Sequence, residues 1–369
     1  MPDLTEQGCR ERRKALVAAM HELDLPYVVL TRGESIQWLT GVYLGPLMQP
    51  SAAIDAQGQV TLVLPQRKID TPAVADRIVG YEAKWHSTMR DDQRQASLQA
   101  LAQAVGEGLD RVGGEFSVFP RYLDTDNQYA WVDIEPTLFR LRRHKYPDEL
   151  AMMAEANLAN EKMYEMAREI IEPGVNELDL YSALQATAVD TLGEPLTYFG
   201  QDFRCAARGG APRDRQAEAG ELYILDLGVG YRGYYSDNAR TIAVDGDPTD
   251  AQLAAHNTLS QVFGMVESTV KPGVSCKAMF EQVQQFLDDA GTQGVSGVFN
   301  HHLGHGVGLA PHEGPHLNPY WDDTFAVGDY FTAEPGLYAD DLRAGIRLEQ
   351  NYVVTESGVE LLTDWPLQL

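Results

Sequence analysis

The sequence predicts an α+β chain in two parts: a smaller α/β unit over residues 1–140, and a larger one over residues 141–369 with pseudo-two-fold symmetry about a central antiparallel sheet. Three observations predict this. At 369 residues the chain exceeds one typical domain and suits two well-cored ones. Ile171-Glu-Pro-Gly-Val-Asn-Glu-Leu-Asp-Leu-Tyr is echoed by Val270-Lys-Pro-Gly-Val-Ser-Cys-Lys-Ala-Met-Phe, 99 residues on; in both, a long helix ends at a Pro-Gly turn and a second helix begins. Each copy is followed by a stretch that reads as a β-hairpin carrying two acids.

Taken in order, Arg10–Leu23 has helical spacing through Ala15, Leu16, Ala19 and Leu23, and Tyr27–Leu30 is a short apolar strand. Gln59–Leu64 reads as a strand and Ser97–Val105 as a helix. Strands at Ser117–Phe119 and Trp131–Ile134 finish the α/β unit. Arg140-Leu-Arg-Arg-His-Lys-Tyr-Pro-Asp-Glu then has a linker's polarity and ends in a helix start. Pro147 suits the first helical turn, and Asp148 and Glu149 favour its positive end. A long helix runs from there to about Ile171.

Composition excludes several functions. With 29 basic and 54 acidic residues the formal charge is −25, which repels phosphate backbones and anionic lipid. The short basic patches, Arg10 to Lys14 and Arg140 to Lys145, read as solvated helix or linker faces. No nucleic-acid or membrane partner is expected. Cys9, Cys205 and Cys276 are scattered, with no metal spacing or disulfide framework, which fits a reducing compartment. The N-terminus is charged and amphipathic, without a signal peptide's apolar region, and no apolar run approaches the roughly 20 residues of a membrane span. The expected location is the cytoplasm.

Chemistry concentrates in the second part. Glu221-Leu-Tyr-Ile-Leu-Asp226-Leu-Gly and Tyr234-Tyr-Ser-Asp237-Asn-Ala-Arg-Thr-Ile flank a Gly-punctuated turn. Folding about Tyr231–Arg232 sets Asp226 opposite Asp237. A carboxylate amid Tyr-Ile-Leu-Asp-Leu is costly to bury unpaired, and a cation between two facing acids is the natural remedy. The plainer reading is a bridge to Arg232 or Arg240. A second hairpin, Tyr330-Phe-Thr-Ala-Glu334 with Arg347-Leu-Glu349, turns near Asp341–Leu342 and sets Glu334 opposite Glu349. Between the hairpins lie five of the nine histidines, within Asn300 to His316, and the glycines around His305 let backbone come close to a metal centre. His312-Glu-Gly-Pro-His316 spells a zincin motif, but Gly314-Pro315 forbids the helix that motif needs. Gly304-His-Gly-Val-Gly308 lacks the spacing and flanking elements of a nucleotide fingerprint. Four carboxylates with one imidazole suit hard or borderline ions such as Mn²⁺, Co²⁺, Zn²⁺ or Fe²⁺.

In order, Asp-Leu-Gly, Ser-Asp-x-x-Arg-Thr, Gly-His-Gly-x-Gly, x-Ala-Glu-Pro-Gly-x-Tyr and Gly-x-Arg-x-Glu resemble the pita-bread metallopeptidases: aminopeptidase P, prolidase, methionine aminopeptidase and the metal-free creatinase. The first part, with Trp38-Leu-Thr-Gly41, resembles a creatinase-like N-terminal domain. The resemblance implies five ligands for two divalent ions, manganese favoured: Asp226, Asp237, His305, Glu334 and Glu349. It implies Glu334 as general base, His301 and His312 as contacts to substrate and tetrahedral intermediate, and Arg347 as the residue that orients Glu349 and reaches toward substrate. It also implies a homodimer. The activity implied is that of an Xaa-Pro aminopeptidase or dipeptidase acting on a small peptide or small amide.

One stretch departs from the family pattern. Arg204 to Gly220 appears several residues short and holds no histidine, where these peptidases carry one near the scissile bond. Weak activity on ordinary Xaa-Pro dipeptides, compared with a differently shaped amide, is the expectation. Arg204, Arg208, Arg213 and Arg215 crowd this stretch, which reads either as a solvated surface turn or as a place for an anionic group on the substrate. The competing readings are a non-peptidase hydrolase or lyase on the same metal site, and a binding protein with a relict pocket, against which the complete ligand set argues.

Overall fold

In this computed structural model residues 3–106, 110–124 and 128–369 are described. The chain divides into two compact units between Arg142 and Arg143. No helix among the described residues is long and apolar enough to cross a membrane.

The first unit carries a mixed sheet in the order Arg77–Tyr81, Val60–Pro65, Ser51–Asp55, Tyr27–Leu30, Arg111–Gly114 and Ala130–Asp133. Leu98 and Leu101 of the helix Gln93–Val105 close a core over Val29, Ala53 and Val63. The strand expected at Ser117–Phe119 is a 3-10 turn at Phe116–Val118, and the strand lies earlier, at Arg111–Gly114. Its Gly-Gly end reads as a turn in sequence. In space, a Cβ on Gly113 would lie 2.9 Å from Val28 Cγ2, and one on Gly114 would lie 2.8 Å from the Trp131 ring. Close approach of neighbouring side chains therefore demands the glycines that hide the strand.

The basic patches also differ from expectation. Arg12 is buried, with Nε donating to Trp38 O at 2.5 Å. The helix Glu135–Arg143 runs through much of the expected linker. Arg143 then pairs with Asp329 at 2.6 Å, and Lys145 with Glu313 at 2.6 Å. Arg12, Arg143 and Lys145 thus hold backbone or acids in place, where a solvated face was expected.

The second unit repeats one motif. Pro147 opens the helix Pro147–Ile170, and Tyr146 N–H donates to Glu149 Oε2 at 3.1 Å. Helices Glu177–Leu192, Asp250–Thr269 and Cys276–Thr292 follow. Gly174 and Gly273, at φ 98° and 91°, make the two Pro-Gly turns. Gly174 N–H donates to Ala217 O at 2.8 Å, and Ala217 N–H returns a bond to Val175 O at 2.8 Å. In the second copy Gly273 N–H donates to Phe325 O at 2.8 Å, and Phe325 N–H to Val274 O at 2.9 Å. Asn176 and Ser275 then cap the following helices, accepting from Leu178 N–H at 2.9 Å and Ala278 N–H at 3.0 Å. The sequence echo is a structural repeat, with the same pair of backbone bonds at each turn.

Each half carries its own sheet. The first holds Tyr198–Cys205, Leu222–Tyr231, Tyr234–Tyr235 and Asn238–Ala243; the second holds Glu313–Leu317, Gly304–Gly306, Tyr330–Ala333, Gln350–Val354 and Val359–Leu361. The expected single central sheet is therefore two, which meet along a seam. There Glu349 N–H donates to Ala239 O at 3.0 Å, and Arg347 N–H donates to Thr241 Oγ1 at 3.0 Å. Leu259, Val262, Phe263, Met279, Val283 and Leu287 of the second helix pair form one buried cluster with Phe331 and Tyr352. At about 1.5–3 kcal/mol for each fully buried large apolar side chain, this packing sets the floor beneath the seam.

Candidate metal centre

The first hairpin turns at Arg232-Gly233, with Tyr231 paired to Tyr234. Both turn residues have positive φ, 45° and 86°, the pattern of a tight two-residue hairpin loop that favours glycine. Turning one residue earlier would force Tyr231 into that left-handed region. Asp226 consequently faces Ala239, and Asp237 lies diagonally across the same face; the direct pairing expected from sequence is not formed. Diagonal neighbours stay within reach of one another. The second hairpin follows its expected register. Pairs run from Tyr330↔Val353 to Ala333↔Gln350 and resume at Gly336↔Arg347, so the same register sets Glu334 opposite Glu349.

His305 comes from the strand Gly304–Gly306, which lies between Glu313–Leu317 and Tyr330–Ala333. A Cβ on Gly304 would overlap Thr332 O. Gly304→Ala should therefore lower stability by about 1–3 kcal/mol, the usual cost of overpacking. A lower urea midpoint at unchanged slope checks this, and an unchanged midpoint would deny that the glycine is what lets the His305 strand pack here.

The five residues converge. Asp226, Asp237, His305, Glu334 and Glu349 are all buried, none more than 6% exposed. His305 Nε2 lies 3.3 Å from Glu334 Oε1 and 3.7 Å from Asp237 Oδ2. Its Nδ1 lies 3.0 Å from Gly306 O. A carbonyl can only accept, so Nδ1 carries a proton; Nε2 faces the acids, where, against the penalty of burial, the bond to Glu334 favours a second proton on the ring. Burial pushes Asp226 up to about 6, and burial with neighbouring carboxylates drives Asp237 and Glu349 well above the usual range. Burial opposes charge on Glu334 too, but its bond to His305 and the nearby His302 hold it low.

Asp226 Oδ1 and Glu349 Oε1 are buried with no hydrogen-bond partner. An orphaned carboxylate oxygen is expensive, and four acids in one cage call for positive charge. Donor atoms of Asp237, His305 and His312 lie within 4.8 Å of one another, as do those of Asp226, Glu334 and Glu349. These two groups could each hold a metal ion, and their oxygen and nitrogen donors suit hard or borderline divalent cations.

The flanking residues fall as follows. His312 stacks on His305 with ring centroids 3.6 Å apart, so its ring is near enough to join the first donor group. His301 Nδ1 lies 2.7 Å from His302 O, which leaves Nε2 to accept from the Tyr338 hydroxyl at 3.0 Å. Both of its nitrogens are thus engaged within the protein. Arg347 pairs with Asp202 and, at 3.2 Å, with Asp226; the expected contact with the Glu349 side chain is not among its bonds. Asp202 lies directly opposite Asp226 in the sheet, and two facing acids draw the guanidinium to their side of the seam. His312-Glu-Gly-Pro-His316 contributes the strand Glu313–Leu317 and no helix.

Sequence reasoning assigned no role to Asp202, His302 or Tyr338, which line the same cavity of about 350 Å³. His302 Nδ1 lies 3.4 Å from Glu334 Oε1. Tyr338 was signalled by its place four residues after Glu334 in Glu-Pro-Gly-Leu-Tyr. Asp202 carried no such signal, being one polar residue among several in the strand Tyr198–Cys205.

Comparison with known proteins agrees with this architecture. Residues 12–144 match the creatinase/prolidase N-terminal domain, and residues 151–356 match metallopeptidase family M24. An uncharacterized peptidase of Staphylococcus epidermidis is 29% identical over 238 residues, covering 63% of this chain and 66% of that one, just under two thirds of its length. The prolidase from Pyrococcus horikoshii OT3 superposes with a TM-score of 0.81 at 22% identity, covering 97% of this chain and 99% of that one. The Xaa-Pro dipeptidase from Bacillus anthracis gives 0.81 at 23% identity, covering 98% and 99%. Fold and sequence together define the pita-bread class, with a creatinase-like N-terminal unit preceding it in the chain. The chain belongs to metallopeptidase family M24.

Proposed function

We propose that this protein is a dinuclear-metal-dependent peptidase that releases the N-terminal residue of short Xaa-Pro peptides. The observation that carries the reading is the buried cage of four carboxylates and one imidazole, with two oxygens left without partners. Asp226, Asp237, His305, Glu334 and Glu349 would hold the ions, of which manganese is favoured. When bound, such ions lower the pKa of water and polarise the carbonyl under attack. A Glu334 carboxylate oxygen takes the proton of the attacking water and passes it to the departing amine. His312, at the open side of the cage, donates to the oxygen that gains charge on the substrate. His301 acts through Tyr338, whose hydroxyl it fixes. Arg347 holds Asp202 and Asp226 in place on the rim of the cavity. We further propose that the protein works in the cytoplasm as a homodimer.

The test is metal analysis joined to a substrate panel. Purified protein should carry about two divalent ions per chain, as a dinuclear site requires. Chelation should abolish Ala-Pro cleavage, and Mn²⁺ or Co²⁺ should restore it. Full activity in metal-stripped protein would remove the dinuclear reading. Cleavage of N-acyl amino acids but of no Xaa-Pro peptide would move the protein to the non-peptidase branch, whereas the histidine-free segment 204–220 points to weak turnover of Xaa-Pro dipeptides.

A further inference from the structure

The four arginines of segment 204–220 divide sharply in space. Arg213 is bound to the buried Glu177, donating from Nη2 to Oε1 at 2.5 Å and from Nε to Oε2 at 3.0 Å. Arg215 is bound to Glu221 through two bonds at 2.6 and 3.0 Å. Arg204 Nε donates to Ala211 O at 2.7 Å. These three tie the segment down. Arg208 alone turns into the cavity that holds Asp226, His305 and Glu334. Its guanidinium lies over the Tyr338 ring, 4.2 Å from the centroid, and its Nη2 donates to Asn300 Oδ1.

Arg208 forms no ion pair among the described residues, although the chain carries 54 acidic residues. The cavity's other arginine, Arg347, is already neutralised by Asp202 and Asp226. Arg208 is therefore an oriented cation whose charge the protein leaves unspent, facing a cage that is itself acidic. Stacking on Tyr338 and the bond to Asn300 fix the guanidinium plane and leave its remaining N–H groups free for a planar, two-oxygen acceptor.

Resting on the peptidase reading above, we propose that Arg208 determines specificity by binding the free C-terminal carboxylate of the substrate, which makes the enzyme a dipeptidase. The carboxylate of a dipeptide lies one residue beyond the scissile amide, and a cavity of about 350 Å³ suits a ligand of that size. In a longer peptide this carboxylate is replaced by a neutral amide, which gives the guanidinium no charge to pair with.

The experiment compares Ala-Pro, Ala-Pro-amide, Ala-Pro-Ala and an N-acetyl amino acid on the Mn²⁺-loaded wild type, Arg208→Ala and Arg208→Lys. Wild type should favour Ala-Pro over Ala-Pro-amide about 10- to 100-fold in kcat/KM, the value of one hydrogen-bonded charge pair. Arg208→Ala should erase that preference mainly through KM, and Arg208→Lys should restore part of it. Calorimetric titration of proline and prolinamide reads the same contact without turnover: proline affinity should fall in Arg208→Ala, and prolinamide affinity should not. Equal cleavage of acid and amide by wild type, or an acid preference that survives Arg208→Ala, overturns the assignment while leaving the peptidase intact. Cleavage of the N-acetyl amino acid with Arg208 dependence, and of neither Xaa-Pro compound, overturns the dipeptide as the source of the carboxylate. Failure to cleave any peptide with metal present overturns the peptidase reading instead.

Discussion

Glu334→Gln should lower kcat by about 10²–10⁴-fold, the usual worth of a general base, with a much smaller change in KM. The amide keeps an oxygen near the position of the carboxylate but cannot accept the water's proton. Glu334 is suited to the task because it is the cage acid held in its charged form, by the bond to His305 and the nearby His302, against the penalty of burial. Its three companions are driven the other way, toward the protonated form, Asp237 and Glu349 well above the usual carboxylate range. Single-turnover kinetics at saturating Ala-Pro would separate this loss from weaker binding, and parallel metal analysis would separate it from lost ligation. A variant with near-normal kcat would reassign the base.

Substituting one ligand from each half should be as damaging, by a different route. Asp237→Ala and His305→Ala should each lose at least one ion per chain, and activity should fall to the level of chelated enzyme. Asp237→Ala also removes an acid whose charge burial and Asp226 both oppose, so its metal-free form should fold at least as stably as metal-free wild type. His312→Ala is the informative companion. Its ring stacks on His305 and sits within the first donor group, yet on the exposed side. It should keep both ions and lose kcat/KM. If His312→Ala loses an ion as readily as His305→Ala, histidine 312 is a ligand and the substrate contact must be sought elsewhere. Inductively coupled plasma analysis after desalting reads both outcomes.

Much of this was legible because pattern and geometry coincide. The Pro-Gly echo announced the repeat, and the Glu334–Glu349 register followed from a hairpin whose centre at Asp341–Leu342 could be counted from either side. The Asp226–Asp237 pairing slipped by two residues because the turn, one residue later than expected, obeys a local demand, glycine at its second position, that hydrophobic alternation does not express. The strand Arg111–Gly114 was hidden for a related reason, since its glycines answer to neighbouring side chains and carry no pattern of their own. Asp202 was out of reach altogether. Its role rests on facing Asp226 across the sheet and sharing Arg347, and that guanidinium lies 145 residues away in the chain.

The repeated turn has one more consequence, which lies where its two copies disagree. Asn176-Glu177 in the first becomes Ser275-Cys276 in the second, on the same bonded frame. Glu177 reaches back to Cys205 N–H at 3.2 Å and to Arg213, pinning segment 204–220 at its start and its middle, whereas Cys276 is simply buried. The halves have accordingly divided their labour. The second supplies the imidazole and both glutamates of the cage and leaves its turn plain. The first adds only two aspartates and spends its extra carboxylate on a scaffold that presents Arg208. The two turns thus anchor different things on one frame, and Glu177 is a point at which the presentation of Arg208 could be retuned without touching the residues of the metal cage.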